Sequence, residues 1–251
     1  MSEITHFNSS HLEYLTPLLN WRIMDLERLR RESFSGKKYN NFAKIIRNLE
    51  KAKVVNAYRH PFTRKKYIYF SSLGERYLEG EENATAVSKD TLIHDIKVSE
   101  IAQDFFERNW VTNVLLEHKL QNKRNFKSTS KVIPDAVFEI ETDKYCFKLG
   151  FELEITRKSK SRILEKVKEY IMSEKYDYMI YFFSKKSIMQ SYQNLIREKF
   201  NNYSDRFMYF YDNSLTALPT DLENINGIFR GEEVKLDELF KKLSKSKQAV
   251  K

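Results

Sequence analysis

The sequence predicts an α+β protein of two domains, on three observations. Its 251 residues amount to between one and two domains at roughly 150 residues each. Apolar residues recur at helical spacing through the first fifty positions and then switch to the alternation of strands. From Leu92 onward helical and strand-like runs interleave, which is the pattern of a mixed α/β domain. A polar stretch without periodicity, Gly80 to Ser88, separates the two regions. It sets the first domain at residues 1–80, a linker at 81–91 and the second domain at 92–251.

The elements of the first domain follow in order. Ser9 and Ser10 precede Leu12, Leu15, Leu18 and Leu19, whose three-and-four spacing reads as a capped amphipathic helix. Leu26 and Leu29 mark a second, shorter helix. After the Gly36 break, Phe42, Ile45, Ile46 and Leu49 form a third apolar stripe, with Tyr39, Asn40, Asn41, Lys44, Asn48 and Lys51 elsewhere on its surface. Two strand-like runs, Val54–Tyr58 and Lys66–Phe70, flank the turn Arg59–Lys65 and make a hairpin. Leu73–Leu78 returns to helix.

Charge is concentrated in this domain. The chain as a whole carries +9, yet residues 21–70 alone hold 14 Lys and Arg against 4 Asp and Glu. A field so localised suits nucleic acid or an acidic surface, although a basic face is also commonly a solvated one. A mean hydropathy of -0.62 fits a globular chain. The longest apolar run, Tyr178 to Phe183, is too short to cross a bilayer, and no membrane partner is expected. The N-terminus lacks the basic-then-apolar order of a signal peptide, and the single cysteine, Cys146, excludes an internal disulfide framework; the expected location is the cytoplasm. The six glycines are scattered and form no phosphate-binding loop, so no nucleotide cofactor is expected.

Three helices followed by a basic hairpin resemble the winged helix-turn-helix superfamily, on the run from Leu49 through Lys66-Tyr67-Ile68-Tyr69-Phe70 to Leu78. The resemblance covers about residues 10 to 80. It implies that the third helix enters the major groove of double-stranded DNA by its N-terminal end while the wing follows the backbone or the minor groove. The residues it assigns to DNA are Lys37, Lys38, Asn40, Asn41 and Lys44 on or before the third helix, and Arg59, Arg64, Lys65 and Lys66 on the wing. Protein-interaction winged helices have the same layout, and the local positive charge favours DNA.

In the second domain a helix around Leu92–Phe106 and a strand Val111–Leu116 lead to a basic loop, Lys119–Lys131. Two strand-like runs, Val132–Glu141 and Tyr145–Ile155, are separated by Thr142-Asp143-Lys144. A helix from about Ser161 to Ser173, a strand Tyr178–Phe183, a helix Lys186–Phe200 and a strand Phe207–Tyr211 complete the pattern. A tight hairpin centred near Asp143 pairs positions so that Asp135 faces Phe151, to within a residue of Glu152. Glu152 and Glu154 share one face of their strand, with Leu153 and Ile155 on the other. Three acids converge, and hard oxygen donors of this kind favour Mg²⁺ or Mn²⁺ over zinc. The bland alternative makes Glu152 and Glu154 the solvent face of an edge strand and Asp135 a turn residue.

Ile133-Pro134-Asp135, the hairpin and Phe151-Glu152-Leu153-Glu154 resemble the metal-binding core of the PD-(D/E)xK nucleases. That likeness implies a restriction-endonuclease-like mixed α/β domain with Asp135 and Glu152 as metal ligands. Behind a winged helix, the whole is similar to the replication-relaxation or mobilisation-type proteins of plasmids and integrated elements, over about residues 10 to 212. One departure stands out: the superfamily places Lys two positions after the second acid, and here that residue is Glu154. Lys158, Lys160 and Lys166 are the available substitutes, with Lys158 and Lys160 nearest the strand end. The expected catalytic set is therefore Asp135, Glu152, Glu154, Lys158 and Lys160. Glu100 is a further acid on the preceding helix, His94 has no partner at zinc spacing, and Cys146 reads as a small apolar residue. Two functions remain. One is a DNA-binding replication, mobilisation or transcription factor whose second domain is a scaffold for homodimerisation or a further DNA contact. The other is a metal-dependent DNA nicking or cleaving enzyme.

Overall fold

The computed structural model describes residues 9–77, 87–120, 132–141 and 146–244. The polar segment at residues 78–86, most of the basic loop before Val132, the turn Thr142-Asp143-Lys144 and the Lys-rich C-terminus lie outside the described residues. Contacts divide the chain into two units, Met1–Glu100 and Ile101–Lys251.

The first unit begins with a 3₁₀ turn, Ser9–Leu15, followed by helix α1 (Pro17–Trp21), whose proline sits at a helix start where its missing N–H costs nothing. A three-residue strand β1 (Ile23–Asp25) leads into α2 (Leu26–Glu32). Asp25 serves both elements: it ends the strand, and its Oδ1 accepts the N–H groups of Glu27 and Arg28 at 3.1 Å each. The turn after α2 uses Gly36 at φ +60°, in the left-handed region that favours glycine. Helix α3 (Tyr39–Lys51) buries Phe42, Ile46 and Leu49 fully. Ile45 is only half-buried, because 3.6 residues per turn puts positions 42, 46 and 49 on one line and 45 at its edge. Strands β2 (Val55–Arg59) and β3 (Lys66–Phe70) form the expected hairpin, with Val55 opposite Phe70 and Arg59 opposite Lys66. β1 adds to the outer side of β3, pairing Ile23 with Tyr69, for a sheet in the order β1-β3-β2. A short helix α4 (Ser72–Tyr77) follows, and α5 (Leu92–Phe106) holds the boundary between the units.

In the second unit β4 (Val111–Leu116), the one-turn α6 (Glu117–Leu120), β5 (Ala136–Glu141), β6 (Cys146–Glu154), α7 (Lys160–Ser173), β7 (Tyr178–Phe183), α8 (Lys186–Lys199) and β8 (Phe207–Tyr211) follow in order. A closing hairpin, β9 (Asn226–Phe229) and β10 (Glu232–Lys235), and helix α9 (Leu236–Ser244) complete it. Among the described residues these strands form one seven-stranded mixed sheet in the order β10-β9-β8-β7-β6-β5-β4. β6, β7 and β8 run parallel, and the pairs toward both edges are antiparallel.

Two successive parallel crossovers of the usual right hand, both moving the same way across the sheet, put α7 and α8 on one face. Their buried residues Ile163, Val167, Tyr170, Met189 and Tyr192 pack with Tyr181 and Phe183 of β7 and with Phe207 and Tyr209 of β8. The alternate residues pack on the opposite face, where Phe105, Phe138, Phe151 and Phe182 form a chain of ring contacts that opens with Phe105 stacked on Phe138 at 4.4 Å. Among the described residues no helix is long and apolar enough to cross a membrane.

Candidate functional site

The two faces of β6 decide where its acids go. Glu152 stands opposite Tyr181 and Glu154 opposite Phe183, on the side covered by α7 and α8, while Phe151 and Leu153 point into the other layer. Both acids are therefore buried, with Glu152 1% and Glu154 2% exposed, and neither lies on a solvent face. The register Ala136 opposite Phe151 brings Asp135, one step further, level with Glu152. Asp135 is half-buried, and its Oδ2 accepts the backbone N–H of Leu153 at 2.7 Å. That bond ties the residue after Pro134 to the strand carrying the other two acids.

Helix α7 supplies the partners of Glu152. The Lys166 ammonium donates to Glu152 Oε2 and the Tyr170 hydroxyl donates to Oε1. They sit four residues apart and so share one helix face. Burial and the neighbouring Asp135 charge push the Glu152 carboxyl up to about 8, against the pull of Lys166 and Tyr170. Burial draws Lys166 down, but the charges of Glu152, Asp135 and Glu154 outweigh it and hold the lysine above its ordinary value. Tyr170 is raised by burial and by Glu152, so it stays a donor at any ordinary pH.

Glu154 is raised by burial as well. The Lys158 ammonium lies 3.9 Å from its Oε2, too far for a hydrogen bond, and that oxygen has no hydrogen-bond partner among the described residues. The nearby Tyr192 hydroxyl also lacks hydrogen-bond geometry to any described group, yet Tyr192 is raised by burial and by the Glu154 charge. Lys160 opens α7 with an exposed side chain and its charge acts on Glu198. Of the three lysines, Lys166 is thus the one joined to Glu152, Lys158 is the neighbour of Glu154, and Lys160 meets neither.

Glu152 has both oxygens engaged, and Asp135 Oδ2 is held by the Leu153 N–H. Among the described residues no three His, Cys, Asp or Glu side chains stand together closely enough to hold a metal ion. In this arrangement Lys166 supplies positive charge beside the paired acids.

The other expected site residues lie in the first unit. Lys37 and Lys38 are exposed just before α3, and Asn40, Asn41 and Lys44 are exposed on it. Arg47, Asn48 and Lys51 extend the same outward surface; the spacing of Arg47 three residues after Lys44 was the signal for it. On the hairpin Arg59, Arg64 and Lys65 are exposed, with Arg59 Nη1 donating to the Arg64 carbonyl at 3.0 Å. Lys66 is half-buried, and its Nζ donates to Glu50 Oε2 at 2.6 Å, bracing the hairpin against α3. Glu100 accepts from the Tyr67 hydroxyl and from Lys97. His94 lies 3.4 Å from Asp95 Oδ1. Cys146 is exposed at the start of β6 and is no core residue.

Fold and site together define an α+β protein that joins a basic helix-and-hairpin unit to a mixed sheet with a buried carboxylate–lysine cluster. Residues 15–176 match the replication-relaxation family, more than half of the chain, and the chain belongs to that family. The matched span takes in α3, the basic hairpin, Asp135, Glu152, Lys166 and Tyr170. Membership points to a role in replication or mobilisation. No curated protein matches the chain.

Proposed function

We propose that this protein binds double-stranded DNA through its first unit, a winged helix-turn-helix with α3 as the recognition helix and the β2–β3 hairpin as the wing, and that it does so in replication or mobilisation. The second unit is then a PD-(D/E)xK nuclease-like domain serving as scaffold. The observation that carries the reading is the division of α3 into two faces. Phe42, Ile46 and Leu49 anchor it, while Asn40, Asn41, Lys44, Arg47 and Asn48 are exposed. Side chains of these types read base edges and phosphates in a major groove. The wing tip adds Arg59, Arg64 and Lys65.

The test replaces Lys38, Lys44, Arg64 and Lys65 together with alanine and follows duplex binding by fluorescence anisotropy over a salt series. Each lost phosphate contact should flatten the slope of log affinity against log salt by about 0.9, so the fourfold variant should lose about 3 to 4. An unchanged slope and affinity would overturn the reading.

A second reading is favoured by the pairing of Lys166 with Glu152: a divalent-metal-dependent nicking endonuclease whose lysine comes from α7. If it holds, Mg²⁺ or Mn²⁺ supports nicking of supercoiled plasmid, and Asp135→Ala and Glu152→Ala each abolish it while DNA affinity stays nearly intact. Absence of cleavage on duplex, single-stranded and branched DNA leaves the scaffold reading.

A further inference from the structure

A lone aromatic on a surface needs no explanation, but Phe62 is held out by a built support. It is 70% exposed at the tip of the hairpin, preceded by Pro61, whose ring fixes the backbone entering the turn. The turn is closed by His60 N–H to the Lys65 carbonyl at 2.9 Å and by Arg64 N–H to the His60 carbonyl at 3.0 Å. The Thr63 N–H donates to His60 Nδ1 at 3.2 Å. Arg64 takes φ +59°, a left-handed conformation that costs a non-glycine residue energy and persists only where its surroundings enforce it. Here those surroundings include the Arg59 guanidinium on its carbonyl.

Behind the tip stands an aromatic column. The His60 ring, itself buried, lies 5.9 Å from the Phe62 ring and 6.5 Å from that of Tyr67. Tyr67 in turn is buried and anchored by its hydroxyl to Glu100. Phe62 therefore cannot fold back into the hairpin, whose interior places are taken. Arg59, Arg64 and Lys65 around it are exposed cations. An apolar ring on a stiff mount, ringed by positive charge, matches a ligand that offers a flat apolar surface between rows of anions. Stacked base pairs between two phosphate backbones have that chemistry, and aromatic or aliphatic wedges enter such steps from the minor groove.

We propose that Phe62 is a wedge that inserts between stacked base pairs of duplex DNA and unstacks one step, while Arg59, Arg64 and Lys65 hold the adjacent phosphates. The inference rests on the winged-helix reading and goes past it. A wing that only follows the backbone leaves the stack intact; this one opens it. Flexible pyrimidine–purine steps are the preferred places, since they unstack most easily.

The experiment uses the full chain and a mixed-sequence duplex rich in TA and CA steps, with potassium permanganate, which oxidises unstacked thymines. The wild-type protein should raise thymine reactivity several-fold at discrete TA steps. Phe62→Ala should return it to the level of free DNA while the salt slope of binding, set by charges, stays the same. Phe62→Trp should keep the enhanced reactivity. Because the side chain is exposed, both variants should melt like the wild type. The same thymine pattern in Phe62→Ala, or bound wild-type protein with no enhanced thymine, would overturn the wedge with DNA binding intact. If the wild-type protein does not bind duplex DNA, the winged-helix reading fails first and the wedge with it.

Discussion

Lys166→Met tests whether Glu152 is a buried acid held in place by a single cation. The folded protein pushes Glu152 up to about 8 from an ordinary value of 4.5. Between those values the folded state keeps a proton that the unfolded state has released, so this group lowers stability as pH rises from about 4.5 to about 8. Lys166 attracts the ionised form, and without it the carboxyl rises further. At pH 6 both proteins fold with Glu152 protonated, and the variant loses little more than one hydrogen bond, about 1 kcal/mol. Above pH 8 the wild-type carboxyl ionises beside Lys166, whose side chain is only 26% exposed. The variant must instead hold its proton, so the gap opens by about 1.4 kcal/mol for each pH unit and reaches about 3 kcal/mol near pH 9.5. Urea melts of both proteins at pH 6, 8 and 9.5 measure the gap directly. A gap already at its full size at pH 6 means that Glu152 is ionised there, and the burial argument falls. No gap at pH 9.5 means that Lys166 and Glu152 do not interact.

Two further outcomes concern the first unit. Ile46→Ala should cost about 2 to 5 kcal/mol in denaturant melts because the side chain is fully buried, and Ile45→Ala, half-buried, clearly less; equal losses would contradict the facing of α3. Gly74→Ala would put a Cβ 1.9 Å from the Val54 carbonyl oxygen, a backbone atom that cannot swing aside. A destabilisation of about 3 kcal/mol is expected, and a variant melting with the wild type would show that α4 does not pack there.

The first unit was legible wherever a pattern ran long enough to repeat. Helix α3 offers four apolar positions over eight residues, and the hairpin offers two five-residue runs, the second rich in aromatic and β-branched residues, on either side of a turn. The period alone left Ile45 and Ile46 as neighbours of one stripe, and packing chose Ile46. β1 was not legible, since three residues cannot display an alternation and Asp25 doubles as a helix cap. The β9–β10 hairpin carried a signal in its two-residue turn, Arg230-Gly231, with both residues at positive φ. The flanking strands are four residues each and partly charged, so the turn stood alone.

The carboxylates were legible for a different reason than their partners. Hairpin arithmetic needs only a turn position, and it brought Asp135 to within one residue of its place opposite Glu152. Sequence distance from the strand end favours Lys158 and Lys160 as partners of the acids. Distance in the fold runs otherwise. Right-handed crossovers from β6 to β7 and from β7 to β8 lay α7 and α8 over the face that carries Glu152 and Glu154. A residue on the second turn of α7, Lys166, then stands over Glu152 near the end of β6, while Lys160 at its start does not. Once covered, Glu152 must either keep a proton or meet a cation, because an ionised carboxylate alone in that layer is too costly. Its raised pKa and the ammonium of Lys166 are these two answers side by side. The position two residues after Glu152 is thereby free to be an acid, since the cation that the strand lacks arrives from the helix above it.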